Sequence, residues 1–513
     1  MPPKKGCADR LRKFLSKNKG AAGADFLAGV LEYGVKIKNF VPDEWIHELT
    51  DSIIGDNYPV PPRSLVHLEQ VVHDYLIKEM CDGRPPKGKF DLFPVEGGTA
   101  AMCYIFDSLM QNGLLKQGDT IALFLPTFTP YIEIAHLERF QFKIVAINAS
   151  SVRADGTHDW HYPATEIAKL ENPKIKLAVT VNPSNPPSVA FSPVEMKQIV
   201  GLIRKNPDLV LVTDDVYGTF VPNFRSLMAE VPHNTICVYS FSKNFGCTGW
   251  RLGVIATHEK NTMDRRIAEL PASWKQRLNK RYGAMTMEPE KLKFIDRMVA
   301  DSRNVALNHT AGLSLPQQVQ MGFFALSHLL DLKDAYKHLT MQIVRARRDA
   351  LWRGLGAPLP PEDPMRGWYY VELDFMVWAK NTYGDAFCKY MTTNYEPVDF
   401  LFRLAEKSGV VLMDGGGFGG PPWSIRISLA NLDDGDYSKI GKHMVEAATE
   451  YVEAWKAGQL VRSGPTAGKG QTVKASAAKR KAGDKGAAKK AVKKAVKQAA
   501  KAERSAKKAT AGK

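Results

Sequence analysis

The chain has 513 residues, long enough for two to four domains, and its 44% hydrophobic and 24% charged content is that of a globular protein. No apolar run is long enough for a transmembrane helix, and the start MPPKKGCADRLRKFL lacks the apolar core and cleavage site of a signal peptide. The net charge of +16 is a property of one end: residues 463–513 carry 16 Lys and Arg against Asp484 and Glu503, a net +14, leaving +2 for residues 1–462.

Residues 1–60 are helical in pattern and read as an N-terminal arm, ending in the turn-rich IGDNYPVPPRS. Residues 61–330 alternate short β-rich runs with helical stretches. The runs are IALFLP (121–126), FKIVAIN (142–148), IKLAVTVN (175–182), LVLVTDD (209–215), TICVYSF (235–241) and RLGVIAT (251–257). Near-continuous apolar strands spaced by helices predict an α/β domain, its parallel or mixed sheet covered on both faces. Residues 331–462 are richer in long amphipathic helices. Their clearest strands are YYVELDF (369–375) and WSIRISLA (423–430), which predicts a second, smaller α+β domain. Residues 463–513 are low-complexity Lys/Ala sequence with too little apolar surface to fold, so they read as a disordered tail. Its charge density suits a polyanion such as DNA as well as plain solvation. The six cysteines are scattered without a Cys-x-x-Cys pair, as expected of reduced thiols in a cytoplasmic protein.

Four segments fall at predicted strand ends or helix starts, where ligands collect in open α/β sheets. VEGGTAAMCYIF (95–106) opens a helix with Gly97, Gly98 and Thr99, which suits an anion at the helix N-terminus or an ordinary helix cap. VNPSNPPS (181–188) follows a strand and offers Asn182 and Asn185 from a proline-stiffened turn; a plain Asn/Pro turn reads equally well. LVLVTDDVYG (209–218) ends a strand on Asp214, with Tyr217 three residues later. A buried carboxylate there requires a cationic partner, whereas a solvated strand-end acid requires none. YSFSKNFGCTGWRLG (239–253) holds Lys243 and, eight residues on, Arg251, among Ser240, Ser242 and three glycines. A lysine beside an anion site suits a nucleophilic amine, and an arginine offers the forked contact to phosphate that lysine lacks.

The four motifs in this order resemble the fold-type I pyridoxal-phosphate enzymes of the aspartate aminotransferase branch. Over about residues 20–460, blocks such as NYPVPPRSLVHLEQVVHDYL, PTFTPYIEIAHLERF, NPSNPPS, DDVYGTFV, FSKNFGCTGWRLGVIA and LNHTAGLSLPQQ resemble the aspartate 4-decarboxylases in particular. The resemblance implies pyridoxal 5'-phosphate as cofactor and L-aspartate as substrate. The implied reaction is β-decarboxylation to L-alanine and CO2, with transamination as a side activity; an aminotransferase without efficient decarboxylation is the alternative. It puts the cofactor-bound lysine at Lys243 and the carboxylate facing the ring nitrogen at Asp214. Tyr217 and Asn185 take the ring oxygen, with Asn185 also near substrate. Gly97, Gly98, Thr99, Ser240, Ser242 and Arg251 form the phosphate cup, and Phe128 stacks on the ring, with Tyr131 close enough to compete for that place. Tyr58 reaches the phosphate of a partner subunit, which implies a homodimer or an assembly of dimers, and Arg426 takes the substrate α-carboxylate. The resemblance also leads one to expect a Gly-Arg-Gly-Asn-Pro-type segment covering the substrate, and none is found before Leu31. No metal ligand set and no membrane contact are expected.

Overall fold

The computed structural model describes Glu48 and residues 51–53, 63–305 and 312–461. Tyr58, most of the predicted arm and the basic tail lie outside the described residues.

A seven-stranded mixed sheet organises the larger part. Its strands are β1 (Phe90–Val95), β2 (Thr120–Leu125), β3 (Lys143–Asn148), β4 (Ile175–Val181), β5 (Val210–Asp214), β6 (Thr235–Ser240) and β7 (Gly253–His258), in the order β1-β7-β6-β5-β4-β2-β3. Strands β3, β2, β4, β5 and β6 pair in parallel, while β7 runs antiparallel to both β6 and β1. The carboxyl ends of β1, β4, β5 and β6 therefore share one edge. The sheet is apolar on both faces, as its unbroken apolar runs predict. In β6, Ile236 and Val238 enter one core while Cys237 and Tyr239 enter another, because successive side chains alternate across a strand.

Helices cover both faces: α1 (Val66–Met80), α2 (Gly98–Gln111), α3 (Thr129–His136), α4 (Pro193–Lys205), α5 (Phe294–Val305) and α6 (Leu315–Leu330). Helix α2 packs on β6, β7 and α5, and α1 packs on α6 across the opposite face. Local signals set their ends. At the start of α4, Ser192 Oγ accepts from the Glu195 amide at 3.4 Å and the Glu195 carboxylate accepts from the Ser192 amide at 2.6 Å, with Pro193 in the first turn. Arg204 and Lys205 sit in the last turn, where the helix dipole favours cations.

The second sheet is small: β8 (Tyr370–Asp374), β9 (Met413–Asp414) and β10 (Ser424–Ser428), antiparallel in the order β8-β10-β9. It lies with two long packed helices, α7 (Ala335–Leu355) and α8 (Asp434–Lys456).

Eight of the ten strands among the described residues coincide with the runs picked out in the sequence. The two that do not are β1 and β9. Pro94 argues against a strand in FDLFPV, but β1 is an edge strand and pairs on one side only, so the missing amide costs nothing. Strand β9 is two residues long and has no periodicity to detect.

Candidate active site

The common edge of β1, β4, β5 and β6 brings together the four sequence segments. Helix α2 begins at Gly98, and its cap residue Gly97 has φ 85° and supplies no side-chain bond to the first turn. The amides there remain free to face an anion. Gly97 is required twice over. Its positive φ favours glycine, and a Cβ at this position would lie 2.4 Å from Arg251 Nη2. Gly253, at the start of β7, closes the same corner: a Cβ there would sit 2.7 Å from the Gly97 Cα. Gly253→Ala is expected to destabilise the protein by about 1–3 kcal/mol through overpacking, measured by urea unfolding, and to weaken whatever the corner binds.

Arg251 itself is held in the left-handed region, φ 56°, an unusual conformation for a residue with a side chain. Its Nη1 donates to the Thr248 carbonyl at 2.9 Å, which fixes the guanidinium at the Gly97 cradle. Ser240 and Ser242 are buried, their hydroxyl oxygens 2.9 Å apart, and the Ser242 amide donates to Ser240 Oγ at 3.3 Å. Thr99 is exposed at the mouth of the cradle.

Asp214, the last residue of β5, is 6% exposed. Oδ2 accepts a short hydrogen bond from the Tyr131 hydroxyl, and Oδ1 accepts from the Val216 amide at 3.2 Å. Burial pushes its pKa up to about 6, against the pull of Tyr131, the Val216 amide and the Lys243 charge. The next residue, Asp215, points to the other side of the sheet, where Ser226, Thr213 and Cys237 surround it. Tyr217 is buried, and the Asn185 amide nitrogen lies 3.3 Å from its hydroxyl. Burial, reinforced by Tyr370 and Asp214, holds the Tyr217 hydroxyl far above its ordinary pKa. The Asn185 Oδ1 is buried without a partner.

Lys243 follows β6 and is half-buried. Its Nζ lies 3.5 Å from the Tyr370 hydroxyl and 5.7 Å from the centre of the Tyr369 ring. Among the described residues it makes no salt bridge. Arg426 reaches the same space from β10, its guanidinium 4.5 Å from the Tyr370 ring and 4.6 Å from the Phe418 ring. The two rings fix the guanidinium plane, and Arg426 has no carboxylate partner among the described residues. Phe128 caps α3 and meets Tyr131 edge to face at 5.4 Å. Of these two rings, Tyr131 has its hydroxyl committed to Asp214.

Every predicted site residue except Tyr58 converges on this edge. Three residues have places the sequence did not assign. Tyr131 was weighed only for stacking, and neither its bond to Asp214 nor the arrival of Tyr370 has a local motif. Tyr370 arrives from the smaller sheet because its amide donates to Ser188 Oγ at 2.9 Å, which docks β8 onto the Asn-Pro loop. The third, Glu372, is two residues further along β8 and is considered below.

A cradle sized for glycine beside an anchored arginine, a buried carboxylate and a lysine that make no salt bridge among the described residues, and an orphaned amide oxygen together fit pyridoxal 5'-phosphate. Fold and site thus define a fold-type I pyridoxal-phosphate enzyme. The chain belongs to the class I and II aminotransferase family, which residues 95–443 match. A bifunctional aspartate aminotransferase and L-aspartate beta-decarboxylase from Pseudomonas sp is 46% identical to it over 453 residues, spanning 88% of this chain and 84% of that protein. An aspartate aminotransferase from Sulfurisphaera tokodaii is 27% identical over 163 residues, 31% of this chain and 39% of that protein. Among solved structures, an aspartate aminotransferase from Rhodobacter sphaeroides has a TM-score of 0.56 at 17% identity, covering 79% of this chain and 89% of that one. One from Thermus thermophilus with maleate has a TM-score of 0.54 at 16% identity, covering 78% and 88%.

Proposed function

We propose that the chain catalyses β-decarboxylation of L-aspartate to L-alanine and CO2, with aspartate transamination as a side activity. The observation that carries this reading is the convergence of Lys243, Asp214 and Arg426, a free amine, a buried carboxylate and a sandwiched guanidinium, on one strand edge. The 46% identical Pseudomonas relative, which spans most of the chain, points to the same pair of activities.

Pyridoxal phosphate, when bound, supplies an electron sink for the pairs left by proton removal at Cα and by loss of CO2 from Cβ. The protein supplies the rest. The Gly97–Gly98 amides, Thr99, Ser240, Ser242 and Arg251 would hold the phosphate. Asp214 would face the ring nitrogen and favour its protonated form, which keeps the sink strong. Asn185 and Tyr217 would hold the ring oxygen, and Phe128 would lie against the ring. Lys243 Nζ would anchor the cofactor and serve as the base that removes and returns the Cα proton. Arg426 forks onto the α-carboxylate and orients the Cα–H bond. The family resemblance, and not the structure, gives Tyr58 a place at the phosphate of a partner subunit; on that ground the proposed working unit is a homodimer or an assembly of dimers.

Product analysis tests this reading. Enzyme loaded with cofactor and given aspartate alone yields alanine and CO2 in equal amounts. Oxaloacetate as the sole product, formed only with a keto-acid acceptor, assigns the chain as an aminotransferase instead. Arg426→Ala is expected to raise KM for aspartate about 100-fold or more, by about 3 kcal/mol of lost charge-assisted bonding, with a smaller fall in kcat.

For the tail, the sequence supports an accessory role in the cytoplasm, binding polyanions through its net +14 from residue 463 onward. Truncation after Arg462 tests this: DNA retention on heparin-free binding assays falls with the tail and with rising salt, while aspartate turnover stays as in the full chain.

A further inference from the structure

Glu372 is 2% exposed, in the middle of β8, directly opposite Arg426 of β10 in the antiparallel register. Residues facing each other in this way project from the same face of a sheet. The Glu372 side chain nevertheless makes no ion pair with Arg426. Oε1 accepts from Ser424 Oγ at 2.8 Å, and Oε2 is buried without a partner. What lies over the carboxyl is glycine backbone. A Cβ at Gly420 would be 2.2 Å from Oε1, and one at Gly415 would be 2.5 Å from it. The segment DGGGFGG (414–420) therefore folds down onto this one carboxyl, closed by the Gly420 amide donating to the Gly415 carbonyl at 3.0 Å.

That loop has two other attachments. Phe418 packs its ring against the Arg426 guanidinium. The Thr127 amide donates to the Phe418 carbonyl at 2.8 Å and Thr129 Oγ1 donates to the Gly417 carbonyl at 2.8 Å. Thr127 and Thr129 flank Phe128, so the loop ties the ring-stacking segment to the substrate-facing arginine. Its seat on β8 is Glu372.

We infer that Glu372 is a positioning residue for the reaction: by seating the 415–420 loop against β8 it holds Phe418 over Arg426 and so fixes the guanidinium for the substrate carboxylate. This rests on the reading of Arg426 given above. The seat works only while the carboxyl is neutral. Asp374 on its own strand, Asp414 on β9, Arg366 before β8 and Arg426 across on β10 are the charged groups around it. Arg366 is occupied over the Trp368 ring at 4.0 Å. Burial, with Asp374 and Asp414 adding repulsion against the pull of Ser424 and Arg366, raises the Glu372 pKa to about 8. A carboxyl whose folded pKa is raised is held neutral below that value and ionises above it. Among the described residues neither Arg366 nor Arg426 forms an ion pair with Glu372, so above pH 8 the ionised group lies under the loop without a bonded cation, and the loop must lift to let water reach it.

Two measurements decide the point. In the unaltered protein, exchange of the Gly419 and Gly420 amides, corrected for the intrinsic rate, should lose about tenfold protection between pH 7 and pH 9; unchanged protection overturns the inference. In cofactor-loaded enzyme, calorimetry with maleate as an unreactive dicarboxylate should show affinity about tenfold weaker at pH 9 than at pH 7 from this group, because the competent fraction falls tenfold. Glu372→Gln, neutral at both pH values, should lack that tenfold component. If Arg426→Ala binds maleate as tightly as the unaltered enzyme, the reading of Arg426 fails and the inference with it. If Arg426→Ala weakens binding but Glu372→Gln shows the same pH change as the unaltered enzyme, the inference alone fails.

Discussion

Lys243→Ala is expected to lower aspartate turnover by about ten-thousand-fold or more, and to remove the visible absorbance of lysine-bound cofactor. The expectation follows from where the amine sits and from what it lacks. A lysine in a structural role on a half-buried segment is ordinarily paired with a carboxylate. Lys243 faces the Tyr370 hydroxyl at 3.5 Å and the Tyr369 ring, and makes no salt bridge among the described residues. No other described lysine reaches this group of side chains, so nothing replaces it as anchor or as base. The measurement is a spectrum after adding pyridoxal phosphate, followed by single-turnover kinetics with aspartate. A variant that keeps the band and one-tenth or more of the turnover would remove Lys243 from the mechanism. The contacts proposed for the phosphate do not depend on the covalent link, so Lys243→Ala should still retain the cofactor on gel filtration at raised cofactor concentration.

Asp214→Asn is expected to lower kcat by about 100- to 1000-fold, the cost of removing one preorganised charge from a buried site. The cause is visible in the protein alone. Asp214 is buried with two neutral donors, the Tyr131 hydroxyl and the Val216 amide, and its nearest cation is Lys243. Burial therefore lifts its pKa to about 6. A cationic ring nitrogen would supply the missing partner and draw the pKa back down. Ligand and proton then compete at this carboxyl, so the sign is fixed: cofactor affinity rises as pH increases through 6 and is weaker below it. Asn carries no titrating proton. The difference in cofactor affinity between the two proteins should therefore widen from pH 5 to pH 7. A constant difference over that range would show that Asp214 does not meet a cation.

These two residues were legible in the sequence because each ends or follows an apolar strand. A polar residue at the carboxyl end of a buried strand has few places to go, and the order of the motifs along the chain narrows them further. Gly97, Asn185, Tyr217, Ser240, Ser242 and Arg251 follow the same logic. Strand β1 was missed although VEGGT was noticed, because Pro94 is permitted only by an edge position that pairing partners decide.

Tyr131, Tyr370 and Glu372 are of another kind. Tyr131 lies in a segment singled out for Phe128, and only the approach of α3 to β5 shows that its hydroxyl belongs to Asp214. Tyr370 and Glu372 sit in YYVELDF, read simply as a strand. Which of its side chains would meet Lys243, and which would be covered by glycine, depends on the register of β8 with β10 and on the docking of β8 through Ser188.

The sequence by itself determined the α/β architecture and the cofactor, and it singled out most of the side chains that the fold gathers at the strand edge. Strand periodicity and strand-end chemistry are local, and phosphate and ring contacts come from short contiguous motifs. Arg426 was singled out by resemblance, but only the tertiary structure decided what surrounds it. Arg426, Tyr370 and Glu372 belong to a separate sheet and Phe418 to the loop between β9 and β10, and Arg426 lies 183 positions from Lys243. Their roles arise from contacts between chain segments that share no pattern: a guanidinium between two rings, and a carboxyl roofed by glycines whose missing side chains have meaning only once the opposing atoms are in place.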